Sequence, residues 1–171
     1  LMRNLLVVHF LYETDCDWLW MVDTDMTFPP DIVTRLLKSA NPDTKPVVGG
    51  LCFAEGNYGG PMIPTLYQGE DLNDVAHDYP RDRMYRGAGT GAAFLLMHRK
   101  ALMAFDREAP MPWFNDEIHN GLAVSEDKVF CQRLRALGIQ LWVHTGIKTQ
   151  HQKAHFLNEA GYLAERAKEK A

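Results

Sequence analysis

Apolar and polar positions along the chain switch repeatedly between the helical and the extended period. Leu5, Val8, Phe10, Leu11 and Tyr12 follow an Asn4 cap and stop at Glu13-Thr14-Asp15, which predicts a helix over 4–12. Trp18–Val22 is a short, wholly apolar run that ends at Asp23. It reads as a buried central strand of an α/β sheet. Pro29-Pro30-Asp31 opens a second helix carried by Ile32, Val33, Leu36 and Leu37 and stopped by Asn41-Pro42. A strand over Val47–Phe53, a Gly-rich turn over 55–60 and a strand over Ile63–Tyr67 follow. The polar, acidic stretch 69–83 reads as a mobile loop. Strands at Met84–Gly87 and Ala92–Met97 flank a glycine turn, and Arg99–Phe105 is a short helix. Ser125 caps a helix through Leu137 that Gly138 closes, with Val129, Phe130 and Leu134 on its apolar face. Gln140–Val143 is the last expected strand. The Ala-, Glu- and Lys-rich tail from Ala154 on is expected to be helical. Strands alternating with helices imply an α/β layer fold, in which ligands collect at the carboxyl ends of the strands.

Composition narrows the function classes. The 171 residues are 46% hydrophobic and 23% charged, which excludes a disordered or low-complexity chain. Eighteen basic against 22 acidic residues, a formal charge of -4, argue against a nucleic-acid binder built on a broad basic surface. Cys16, Cys52 and Cys131 show neither CxxC nor zinc spacing, so free thiols in a reducing cytoplasm are expected. No apolar run approaches the ~20 residues of a membrane span.

Four groups carry chemistry. Asp23 and Asp25 stand two residues apart where an apolar strand runs out. Such a pair calls for donors or a hard cation such as Mg²⁺ or Mn²⁺, and that cation could in turn bridge to nucleotide phosphates. A solvated strand-end turn is the competing reading of the same pair. Ser125-Glu126-Asp127 suits a helix N-terminus, and it also suits a general base that takes a proton from an attacking hydroxyl. His144, His151 and His155 cluster near the last strand, where an imidazole would serve Mn²⁺ beside one carboxylate. Gly87-Ala88-Gly89-Thr90-Gly91 reads as a tight, substrate-facing turn, and no Gly-Lys-Ser/Thr phosphate loop is present.

In order and spacing, these residues resemble a GT-A fold glycosyltransferase of the family 2 kind. Trp18–Asp25 resembles its DxD strand, 28–37 the proline-led helix after it, and Gly87–Met97 its glycine loop and following strand. Ser125-Glu126-Asp127 resembles its xED motif, and Leu141–Thr145 with His151 its last strand and terminal metal histidine. The resemblance spans roughly 3–153. It implies a Rossmann-like mixed sheet flanked by helices over 1–153, followed by a helical tail at 154–171. The strand–helix–strand unit that opens the family's domain is not visible before Trp18, so the domain reads as partial at its N-terminus. By resemblance, Asp25 and His151 would be ligands of Mn²⁺ or Mg²⁺, and Asp23 would face the ribose or the metal shell. Gly89 and Thr90 would line the donor site, Asp127 would be the catalytic base with Glu126 binding acceptor, and Trp113 would stack on a sugar. The implied partners are a UDP- or GDP-sugar and an acceptor hydroxyl. A nucleotidyltransferase and an inactive sugar- or protein-binding α/β module are the alternatives.

Overall fold

The structure, a computed structural model, describes residues 2–56, 60–70, 72–119, 121–152 and 156–169. The chain opens with helix α1 (Met2–Glu13), strand β1 (Trp18–Val22), the short β2 (Met26–Thr27) and helix α2 (Ile32–Ser39). Then come β3 (Val47–Leu51), β4 (Phe53–Gly56), β5 (Gly60–Pro64), β6 (Leu66–Gln68), β7 (Asp74–Val75), β8 (Met84–Gly87), β9 (Gly89–Thr90) and β10 (Phe94–His98). Helix α3 (Arg99–Met103), the hairpin β11 (Glu117–His119) and β12 (Leu122–Val124), and helix α4 (Glu126–Ala136) precede the long β13 (Leu141–Lys148). The chain closes with β14 (Gln150–Gln152), β15 (Phe156–Leu157) and helix α5 (Glu159–Glu169).

The main sheet has five strands in the order β1-β10-β3-β13-β8. Only β3 and β13 run parallel; the other pairs are antiparallel. This is a mixed α/β fold. The expectation of a central Trp18–Val22 strand is corrected: β1 is an edge strand whose Trp18, Leu19 and Trp20 are half-buried and whose Val22 is exposed. The centre belongs to β3, every residue of which is buried. An apolar run records how much of a strand is covered, and here helices supply cover that a second strand neighbour does not.

Period-two alternation sorts the sheet residues between two cores. Leu95, Met97, Val47, Leu141 and Val143 point to one face, where Val7, Phe10 and Leu11 of α1, Leu102 of α3 and Phe130 and Leu134 of α4 cover them. Phe94, Leu96 and Val48 point to the other, covered by Ile32 and Leu36 of α2, and Ile147 joins them because the register of β13 shifts between His144 and Lys148. Trp20, Phe28 and Phe94 make edge-to-face contacts there, at 5.2–5.3 Å between centroids.

Two further expectations change. The stretch 72–83 packs against the body: β7 pairs with β6, and Leu72, Ala76 and Tyr79 are buried. Its few apolar residues are spaced to reach the core once the polar ones turn outward. The C-terminal helix also belongs to the same core. Tyr162 of α5 is buried, its hydroxyl lies 2.6 Å from His77 Nδ1, and Glu165 accepts from the Met62 amide at 2.9 Å. The strand expected over Val47–Phe53 is broken between Leu51 and Phe53, and that over Ile63–Tyr67 at Thr65. No helix among the described residues is long and apolar enough to cross a membrane.

Candidate functional site

β1 delivers Asp23 and Asp25 to the carboxyl end of the sheet, and β2 turns the chain back immediately afterwards. The Met26 amide bonds to Asp23 O at 3.1 Å. β2 pairs with β14 so that Met26 faces His151, and the Gln152 amide donates to Asp25 O at 2.8 Å. This ladder places Asp25 Oδ2 2.9 Å from His151 Nε2, across 126 residues of sequence. The other ring nitrogen, Nδ1, lies 3.3 Å from Phe53 O, which orients the imidazole as an outer-shell carbonyl does for a metal-ligating histidine. His155 lies outside the described residues. His144 points elsewhere: its Nδ1 accepts from the Gly146 amide, and burial, with the Arg35 charge nearby, holds it below the ordinary histidine range.

Asp23 has a different partner. The Arg3 guanidinium on α1 donates to Asp23 Oδ1 at 2.7 Å and, through its other terminal nitrogen, to Glu126 Oε1 at 2.7 Å. One side chain thus ties the strand-end carboxylate to the first residue of α4. All three groups are half-buried. The helix that carries Arg3 is itself pinned by Asn4, whose side chain is buried and bonds the amides of Trp113 and Phe114 and the carbonyl of Phe114.

At the start of α4, Ser125 occupies the N-cap position without capping the helix; its hydroxyl donates to Asp127 Oδ1. Asp127 also accepts from the Lys128 amide at 2.9 Å. The glycine turn contributes Gly91. A Cβ built there would stand 3.4 Å from Thr65 and 3.5 Å from Asp127 Oδ2, so the missing side chain keeps the approach to that carboxylate open. Tyr67 lies alongside. Burial, reinforced by the Asp127 charge, pushes its phenol up to about 12, so it stays protonated.

Three expected site residues sit elsewhere. Gly89 and Thr90 are buried inside the fold. Thr90 Oγ1 donates to Thr65 O at 2.7 Å, and a Cβ on Gly89 would press on Leu72 at 3.0 Å, so neither faces a ligand. Trp113 is 2% exposed and donates from its indole nitrogen to Leu102 O at 2.8 Å; it is a core anchor with no face left for a sugar. Arg3 has a role that the sequence pattern did not assign, and within the glycine turn it is Gly91, not Gly89 or Thr90, that faces Asp127. The only signal for Arg3 was a lone cation in an otherwise apolar helix.

A metal held here would have to bring most of its own ligands. Asp25 and His151 offer one carboxylate and one imidazole, and Asp23 is drawn away by Arg3. Among the described residues no group of three or more His, Cys, Asp or Glu side chains forms a ready cage. One or two protein ligands completed by phosphate oxygens and water is the usual arrangement for Mg²⁺ at nucleotide sites.

No protein-family model matches the sequence, and no curated protein matches it. Among solved structures, A197 from STIV is similar in fold, with a TM-score of 0.59 at 20% identity over 88% of this chain. The chain spans 65% of the length of A197. A likeness at that identity speaks for a shared α/β architecture and leaves activity to the site residues themselves.

Proposed function

We propose that this chain is a GT-A-type glycosyltransferase domain that moves a sugar from a nucleoside-diphosphate donor to an acceptor hydroxyl. The observation that supports it is convergence. Motifs at 23–25, 126–127 and 151, far apart in sequence, meet through the Asp25–His151 contact and the Arg3 bridge.

In this reading Asp25 and His151 would hold Mn²⁺ or Mg²⁺, which when bound neutralises charge on the departing diphosphate. Phe53 O fixes the His151 ring. Arg3 holds Asp23 in place and keeps Glu126 beside the base. In an inverting reaction Asp127 accepts the proton of the acceptor hydroxyl as that oxygen bonds to the anomeric carbon and the bond to the diphosphate breaks. Gly91 leaves room for that hydroxyl. A retaining reaction would not use Asp127 as a base.

The test is titration of Mn²⁺ with UDP, and separately GDP, into wild type and Asp25→Ala. The expected outcome is metal-dependent nucleotide binding that Asp25→Ala abolishes. Absence of such binding in the folded wild type overturns the reading. A second reading, a sugar- or protein-binding module without transferase activity, is favoured by one observation: Asp23 and Glu126 already have their charge answered by Arg3.

A further inference from the structure

Beside the candidate base stands a cation that no carboxylate among the described residues answers. Lys128 follows Asp127 in the first turn of α4 and is half-buried. Its ammonium lies over the Tyr67 ring, 4.7 Å from the centroid. Among the described residues no Asp or Glu side chain lies within ion-pair distance of it. The other cations around the site are occupied: Arg3 bonds Asp23 and Glu126, Arg133 bonds Glu117, and Lys148 bonds Glu159. Tyr67 is the common neighbour of the ammonium and of the Asp127 carboxylate, and its backbone is fixed by pairing with Gly89 in the glycine turn. Gly91 lies against the same carboxylate: a Cβ built on it would stand 3.5 Å from Asp127 Oδ2 and 3.4 Å from Thr65. The start of α4 thus offers one anionic acceptor of protons and, next to it, one positive charge outside any ion pair among the described residues, with the neutral phenol of Tyr67 against the ammonium.

A neutral polyol would leave that charge unused. A ligand with a hydroxyl for Asp127 and an anion for Lys128 would use both, and the face of Tyr67 holds the ammonium ready for it. We propose that Lys128 recognises an anionic group, a phosphate or a carboxylate, on the acceptor whose hydroxyl is presented to Asp127. The fate of the hydroxyl rests on the glycosyltransferase reading; the preference for an anion does not.

The test uses the full chain and small probes: glucose 6-phosphate and glucuronate against glucose, with inorganic phosphate alone as a control, each followed by ligand-observed NMR titration. The expected result is that at least one anionic sugar binds tenfold or more tighter than glucose. That advantage shrinks as salt is raised, disappears in Lys128→Met and persists in Lys128→Arg. Lys128→Gln replaces Lys128→Met if the latter does not melt like wild type. Which of the two sugars gains tells phosphate from carboxylate. Equal binding of charged and neutral sugars overturns the proposal. So does an advantage that survives Lys128→Met, or inorganic phosphate binding as tightly as the best sugar. Mn²⁺-dependent UDP binding measured on the same samples separates the two claims. If it is absent while the anion preference holds, the transferase reading falls and the anion site stands.

Discussion

The corner formed by Asp25 and His151 and the start of α4 are two regions of one candidate site built by different means. The corner is made by strand pairing: β2 and β14 lie side by side, and a one-residue register match sets the carboxylate against the imidazole. The start of α4 is made by reach: Arg3 comes in from α1, Tyr67 from β6 and Gly91 from a turn, and none is a ladder neighbour of Asp127. A site built on a ladder is as rigid as its backbone hydrogen bonds. A site built by reach depends on every element that sends a side chain to it.

That contrast predicts separable phenotypes. The largest effect is on the ladder side. Asp25→Ala is expected to remove Mn²⁺-dependent nucleotide binding below detection by calorimetry, whereas Asp127→Asn is expected to leave it within about twofold. Equal losses would mean that the two regions are one. Next comes the anchor of the reaching side. Trp113→Ala empties a buried site and loses its indole hydrogen bond, so it should cost about 3–5 kcal/mol in urea unfolding. Nucleotide affinity per folded molecule should be unchanged; a selective loss of affinity would restore a ligand-facing role for this residue. Arg3→Met removes two half-exposed ion pairs and should cost no more than about 1 kcal/mol each, because water screens such pairs.

The smallest effect is one of pH. His119 first, and then Arg133, hold the Glu117 carboxylate below its ordinary value of 4.5. A lowered native value means that the contribution is complete above 4.5 and is lost as pH falls through that lowered value. Amides of β11 and β12 should therefore lose protection, relative to the intrinsic exchange rate at each pH, only in acid below 4.5, as hydrogen exchange followed by mass spectrometry would show. Loosening that begins above pH 5 would assign the hairpin's order to some other contact.

The ladder side was legible in the sequence. An apolar run ending in Asp-Thr-Asp and a proline-led helix are local signals that survive in the fold, and the histidine expected just beyond the strand over 140–143 lies in a further strand, β14, that pairs it with β2. The reaching side was not. Arg3 looks like an ordinary helix-start cation because its partner Glu126 is 123 residues away. The glycine turn was recognised, but which residue faces the site depends on how β9 packs. Gly89 and Thr90 turned inward, against Leu72, Thr65 and Cys131, and Gly91 turned toward Asp127. The family resemblance makes Trp113 a stacking platform in the loop before the xED motif; its actual partner is a backbone carbonyl in α3 that no periodicity reveals. The edge position of β1 was hidden for a related reason, since an apolar strand looks alike whether sheet or helices cover it.

Helix α1 carries a cost in time. Its inner residues meet their core partners only after the sheet and α3 exist. Asn4 waits for Phe114 and Arg3 for Glu126, while Met2, Leu5, Leu6, Val8 and Tyr12 stay exposed even in the folded chain. At ribosomal speeds of about 5–20 residues per second, more than a hundred residues of delay is roughly 5–25 seconds. During that interval the helix has not yet met the partners that hold its inner residues in the fold. Vectorial synthesis thus separates Arg3 and Asn4 from the partners that fix them by most of the length of the described fold.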